Sequence, residues 1–143
     1  PEHVRERHGE FIRLARVVTT EVSQLPLAAA REAFAIAKAA GAYTVLDLDV
    51  PPSDALATLG SEEDLEALLR GADLLKPSKL AAQEIAGGAG DALETARALR
   101  RRFMNRAVVV TDGEAGCAVV ADGFEGIEDR PFMNAALMVN DQV

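Results

Sequence analysis

Cysteine is almost absent from this chain: Cys117 is the single one in 143 residues. A disulfide framework is therefore excluded, and a reducing, cytoplasmic setting is expected. Only two histidines are present, both far from Cys117, so a Cys/His zinc centre is not expected. Positive charge is in deficit, with 15 Lys and Arg against 23 Asp and Glu and a net charge of -8. Binding to nucleic acid or to an anionic membrane surface needs clustered cations, so neither partner is expected. No apolar run approaches the ~20 residues of a membrane span, and no secretory signal is read ahead of the first helix. Tryptophan is missing and tyrosine occurs once. Alanine instead supplies 27 residues, which predicts helices that pack closely through small side chains. With 49% hydrophobic and 27% charged residues, the balance is that of a globular domain with enough apolar surface to offset chain entropy. The chain opens on Pro1 rather than Met and reads as an excerpt or a processed product.

Periodicity predicts alternating elements. Residues 2 to 15 suit a helix, with a partial apolar stripe of Val4, Phe11, Ile12, Leu14 and Ala15. Arg16–Leu25 is rich in β-branched residues and reads as a strand. Pro26 opens a helix through Ala40, which stops at Gly41. Tyr43–Leu48 reads as a buried parallel strand, and Val50-Pro51-Pro52 as loop. Ser61 caps a helix to Leu69, whose first turn is acidic. Ala72–Lys76 is a third strand ended by Pro77, and Ser78 caps a helix over Lys79–Ala86. Gly87-Gly88 breaks that helix, and Asp91 caps another over Ala92–Arg102. Ala107–Thr111 and Cys117–Ala121 are strands joined by a glycine-rich turn, after which the pattern weakens. This order predicts a three-layer αβα domain around a mostly parallel sheet, in which ligands sit at the carboxyl ends of strands.

Three constellations stand at such positions. Asp47 and Asp49 end the second strand at a spacing of two and so share a face. They could hold magnesium or its waters beside a phosphate, or one caps the loop while the other is solvated. Thr111-Asp112-Gly113-Glu114-Ala115-Gly116 follows a strand directly. Its backbone amides and the Thr hydroxyl suit an anion, and Asp-Gly equally signals a tight hairpin. Gly88-Ala89-Gly90-Asp91 has the look of a phosphate-cradling helix start, but a glycine C-cap followed by an Asp N-cap explains it better. His3 and His8 read as solvated, Cys117 as a buried inert thiol, and the arginines from Arg97 to Arg106 as complements to a helix dipole.

Taken in order, "AGAYTVLDLDVPP", "ADLLKPSKLAAQEI" and "RAVVVTDGEAGCAVV" resemble the ribokinase-like (PfkB) family of sugar kinases over roughly Val17 to Asp122. That resemblance implies a ribokinase-like, Rossmann-like core and transfer of the γ-phosphoryl of ATP to a sugar hydroxyl, with ATP and Mg2+ as cofactors. Thr111, Gly113 and Gly116 match the family's Thr-x-Gly-x-x-Gly nucleotide-phosphate turn. Asp47 matches its strand-end acid, and Asp49 stands where Asn is common. Ser78 takes the place of the Asn, and Ala81 of the Glu, in the Lys-Pro-Asn-x-x-Glu segment that organises magnesium. Glu84, one helical turn beyond Ala81, is a substitute metal candidate beside Asp47 and Asp49.

The family's catalytic Gly-Ala-Gly-Asp follows the Thr-x-Gly-x-x-Gly turn. Gly88–Asp91 precedes that turn, so Asp91 is not assigned as the base, and the expected base lies beyond the chain. The resemblance therefore implies the middle of a kinase, incomplete at both ends and inactive alone. Residues 1–130 would form a partial ribokinase-like domain and 131–143 an irregular tail. A full-length parent would take a small sugar and could form a homodimer. A catalytically dead relative that binds nucleotide or a protein partner is the alternative. A receiver-type module would need an acidic cluster after the first strand and a Lys after the last, and has neither.

Overall fold

A computed structural model describes residues 1–88, 90–121 and, as backbone, 130–132. Helix α1 (Glu2–Leu14) leads into strand β1 (Val17–Glu21), helix α2 (Leu27–Ala39) and strand β2 (Tyr43–Leu48). Helices α3 (Pro52–Thr58) and α4 (Glu62–Gly71) connect to β3 (Leu74–Pro77). Helices α5 (Lys79–Ala86) and α6 (Ala92–Phe103) connect to β4 (Ala107–Thr111). A 3-10 turn, Gly113–Ala115, joins β4 to β5 (Cys117–Ala121), and β6 (Arg130–Phe132) follows. The strands lie side by side in chain order. β1 to β4 are parallel, while β5 and β6 are antiparallel to their neighbours. The mostly parallel α/β sheet expected from the sequence is thus present.

The order of strands decides where the helices go. Each crossover from β1 to β4 steps in the same direction, and right-handed crossovers then place every helix on one face. The helices do form one contiguous layer, α1 on α2, α2 on α4, α3 on α4 and α5, and α5 on α6. That side of the sheet is sealed: Leu46, Leu48, Leu75, Val108 and Val110 are fully buried against Leu27, Leu68 and Leu99. Buried alanines Ala30, Ala81, Ala82 and Ala96 let the helices approach closely. On the opposite face, Val17 and Tyr43 remain more than half exposed and Val45, Leu74 and Val109 half-buried. The described residues therefore supply one of the two helical layers of the expected three-layer arrangement. Cys117 lies on this open side at intermediate burial, which corrects the expectation of a buried thiol: it pairs with Thr111 on the face the helices leave uncovered.

Several boundaries differ from expectation. β1 ends at Glu21 rather than Leu25, because only the Val22 amide still reaches β2, donating to the Asp47 carbonyl. The expected loop at Pro51-Pro52 ends one residue sooner, because Pro52 opens α3, where a missing N–H costs nothing. β3 begins at Leu74 and includes Pro77, while Ala72 caps α4. Of the expected irregular tail, Pro131 and Phe132 instead lie in β6, and residues 133–143 lie outside the described residues. No helix among the described residues is long and apolar enough to cross a membrane.

The amino rim of the sheet is tied by a buried polar knot. Thr44 is fully buried, and its hydroxyl shares its one proton between the Gly71 carbonyl at 2.7 Å and Asp73 Oδ2 at 3.0 Å. Its amide donates to Asp73 Oδ2 at 2.9 Å, and the Asp73 carbonyl accepts from Ala107 of β4. Burial alone would raise the Asp73 carboxyl, but hydrogen bonds from the Thr44 amide and hydroxyl, with the Lys38 ammonium, hold it below its ordinary value. A depressed carboxylate adds stability above its unfolded pKa of roughly 4, and that contribution is lost as pH falls through the folded value. Thr44→Val is expected to lower stability by about 1–2 kcal/mol near neutral pH. The deficit is expected to be smaller at an acid pH below the folded-state value of Asp73, where its carboxyl is protonated in both proteins. Urea unfolding at the two pH values checks this.

Helix α6 ends on Met104, a non-glycine residue in the left-handed region (φ 61°) with its side chain exposed. A side chain in this conformation costs roughly 1 kcal/mol relative to glycine. Met104→Gly is expected to raise Tm by several degrees, read in a thermal melt.

Candidate functional site

Parallel pairing brings the carboxyl ends of β2, β3 and β4 to one rim. Asp47 lies opposite Lys76 in the β2–β3 register, and Ser78 bridges to Thr111 across β3 and β4. Five of the residues singled out in the sequence, Asp47, Asp49, Ser78, Thr111 and Gly113, therefore come to one ledge from three separate segments. Gly116 closes the adjoining turn: its carbonyl accepts from the Asp112 amide at 2.8 Å, and its own amide donates to Gly113 O at 3.0 Å. The turn between β4 and β5 is thus a hairpin, as Asp-Gly signals, built around a 3-10 turn. Gly113 and Gly116 both have positive φ, 52° and 91°. A Cβ placed on Gly113 would meet nothing within 4 Å, so open space lies directly outside the turn.

Ser78 serves several elements at once. Its amide donates to the Leu48 carbonyl at 3.0 Å, and its hydroxyl lies 3.3 Å from Asp49 O. The same oxygen accepts from the Ala81 amide and caps α5. Ala81 itself is fully buried in the core. Glu84 belongs elsewhere. Its carboxylate accepts from the Ser53 amide at 2.7 Å and lies 3.2 Å from the Ser53 hydroxyl, so it braces the start of α3. No group of three or more His, Cys, Asp or Glu residues among those described could hold a metal ion. Clefts of about 500 and 520 Å³ open between α3, α4, α5 and α6. Of the candidate residues, Glu84 lines both and Gly88 lines the second.

Two ion pairs on the rim were not anticipated. Lys76 Nζ lies 2.6 Å from Asp47 Oδ2, and Lys79 Nζ lies 2.7 Å from Asp112 Oδ2. All four side chains are partly buried. The signal available in the sequence was a pair of lysines flanking Pro77-Ser78, directly after a strand, in a chain short of cations. The tetrapeptide Gly88–Asp91 takes the simpler of its two readings. Gly87 is the left-handed C-cap of α5, and Asp91 accepts from the Glu94 amide at 2.8 Å as the N-cap of α6.

A model of the pfkB family carbohydrate kinases matches residues 7–136. No curated protein matches the chain. Among solved structures, the PfkB protein from Polaromonas sp. JS666 superposes with a TM-score of 0.66 at 21% identity, over 83% of this chain and 42% of that one. The Anopheles gambiae adenosine kinase, solved in complex with P1,P4-di(adenosine-5) tetraphosphate, gives a TM-score of 0.72 at 19% identity, over 98% of this chain and 44% of that one. The Thermotoga maritima ribokinase gives 0.64 at 14% identity, over 90% and 38%. The chain therefore spans about two-fifths of the length of these structures.

The Lys76–Asp47 pair generates a stability prediction. Asp47 Oδ1 is buried without a hydrogen-bond partner, so Oδ2 and its lysine carry the compensation for that carboxylate. Lys76→Met is expected to cost about 1 kcal/mol, discounted for the partial exposure of both groups. Adding Asp47→Asn should recover most of it, because a neutral amide tolerates loss of the cation. A double-mutant cycle by urea unfolding tests the pair.

Proposed function

Because the chain belongs to the pfkB carbohydrate kinase family, we propose that it forms the nucleotide-side part of an ATP-dependent sugar kinase. The observation that carries this reading is the β4–β5 turn. Thr111, Gly113 and Gly116 surround a turn that opens on free space, at the carboxyl end of a parallel strand. The Asp112, Ala115 and Gly116 amides donate within the turn, so an anion would be met by the Gly113 and Glu114 amides. The adenine dinucleotide polyphosphate bound by the Anopheles gambiae relative has the chemistry this reading calls for.

Magnesium would meet this rim chiefly through Asp49. Asp47 is committed to Lys76, while Asp49 is exposed and accessible. Magnesium bound to ATP keeps most of its waters and takes only one or two protein carboxylates besides the phosphates. Asp49, with Asp47 behind it, fits that demand, and Glu84, fixed to Ser53, does not. When bound, the ion would neutralise charge on the phosphates during transfer. The general base that accepts the sugar hydroxyl proton is not assigned to any described residue, and Asp91 is occupied as a helix cap. Residues 1–143 are thus expected to bind nucleotide without phosphorylating a sugar.

One observation favours a second reading. Ala81 stands where the family has its magnesium-organising Glu and is sealed in the core, so the departure is built into the packing. A catalytically dead relative that keeps only nucleotide binding accounts for it.

Gly113→Asp separates binding from folding. Aspartate tolerates positive φ, and its Cβ meets open space, so the fold should be retained. Its carboxylate would occupy the space assigned to phosphate. Calorimetric titration with MgATP is expected to show binding by the parent chain and at least about tenfold weaker binding by the variant, with Tm little changed. Absence of binding by the parent chain, or equal affinities, overturns the assignment.

A further inference from the structure

The nucleotide turn has an electrostatic defect that its sequence creates. Asp112 and Glu114 place two carboxylates within the six residues assigned to a polyanion. The Asp112 backbone closes the turn on both sides, which keeps its carboxylate within one side chain's reach of the turn. Its amide donates to the Gly116 carbonyl at 2.8 Å, and its carbonyl accepts from the Ala115 amide at 3.0 Å. A carboxylate beside a phosphate site repels the ligand by an amount comparable to the attraction a lysine would supply.

Lys79 answers this defect. It is the first residue of α5, next to Ser78, whose strand bridge to Thr111 sets α5 beside the end of β4. From there its ammonium reaches across to Asp112 Oδ2 at 2.7 Å. Lysine and carboxylate are both about one-third exposed, so their charges meet at the surface the ligand would approach. Resting on the nucleotide assignment above, we infer that Lys79 is a positioning residue that acts through Asp112. It cancels the carboxylate and ties the turn to α5, so that an anion can approach the backbone amides. Its contribution is to remove a repulsion, and contact with phosphate is not required.

This origin of the effect makes it separable by charge. MgATP affinity is measured by calorimetry for the parent chain, Lys79→Met, Asp112→Asn and the double variant, with a thermal melt of each. Lys79→Met is expected to bind about tenfold more weakly, the order expected for exposing one unit charge near a surface site. Asp112→Asn should bind as well as the parent chain or better. The double variant should return to within about twofold of the parent chain, since no carboxylate is left to be screened. Raising salt should narrow the gap between Lys79→Met and the parent chain.

Unchanged affinity in Lys79→Met overturns the inference. A double variant as weak as Lys79→Met also overturns it, because lysine would then act on phosphate or on the fold directly. If Lys79→Met fails to fold, Asp112→Asn alone decides, and a loss of affinity there refutes the screening role. A parent chain that does not bind MgATP at all overturns the nucleotide assignment, and this inference falls with it.

Discussion

The Ser78 amide donates to the Leu48 carbonyl, its hydroxyl oxygen caps α5, and its backbone bridges to Thr111. Through this residue the carboxyl ends of β2, β3 and β4 are held level with one another. Without that alignment, Asp47, Lys76, Thr111 and the glycine turn would be separate features of separate loops. Proline explains why the junction falls where it does. Pro77 lacks an N–H and ends β3, and the next residue is then free to turn its amide toward β2 and its side chain toward α5. A serine there meets the demands of a cap and of a strand end together, because its one oxygen can accept from a helix amide and lie near a carbonyl.

The two rims of the sheet solve different problems. At the amino rim, Thr44 and Asp73 are wrapped in mutual hydrogen bonds, with the Lys38 ammonium 3.5 Å from the Asp73 carboxylate. At the carboxyl rim, partners are charged and partly exposed, and Asp47 keeps a buried oxygen unsatisfied. Surface-paired charge contributes little to stability, and at the carboxyl rim the proposed ligand site gives the two short ion pairs a role.

Elements specified by local signals were readable from the sequence to the residue. Tyr43–Leu48, Lys79–Ala86, Ala107–Thr111 and Cys117–Ala121 are bounded by proline, glycine or capping residues that act within one turn. Helix α3 was missed because Pro51-Pro52 reads as a breaker, although its second proline sits at the first helical position, where proline is favoured. The rim ion pairs were not readable, because they join residues 29 and 33 apart. Their pairing depends on parallel register, which no local pattern encodes. Glu84 looked available because it lies one turn from Ala81. Its actual partner, Ser53, lies in α3, which no local signal after Pro51-Pro52 announces.

The overall charge of the chain and the charge of its rim lead to opposite expectations about anions. A net charge of -8 disfavours polyanions at long range. At physiological salt, however, fields from exposed groups fade within about 8 Å. Inside that radius the turn sees its own amides, Asp112, Glu114 and the Lys79 ammonium, and few of the distant acids count. A short polyphosphate needs only that local patch, whereas a nucleic acid would have to cross the acidic surface around it. An acidic domain can therefore exclude long polyanions and still admit a small one, provided that the carboxylate nearest the phosphate is neutralised. Asp112 is the carboxylate fixed within the turn, and Lys79 is the cation the fold sets against it.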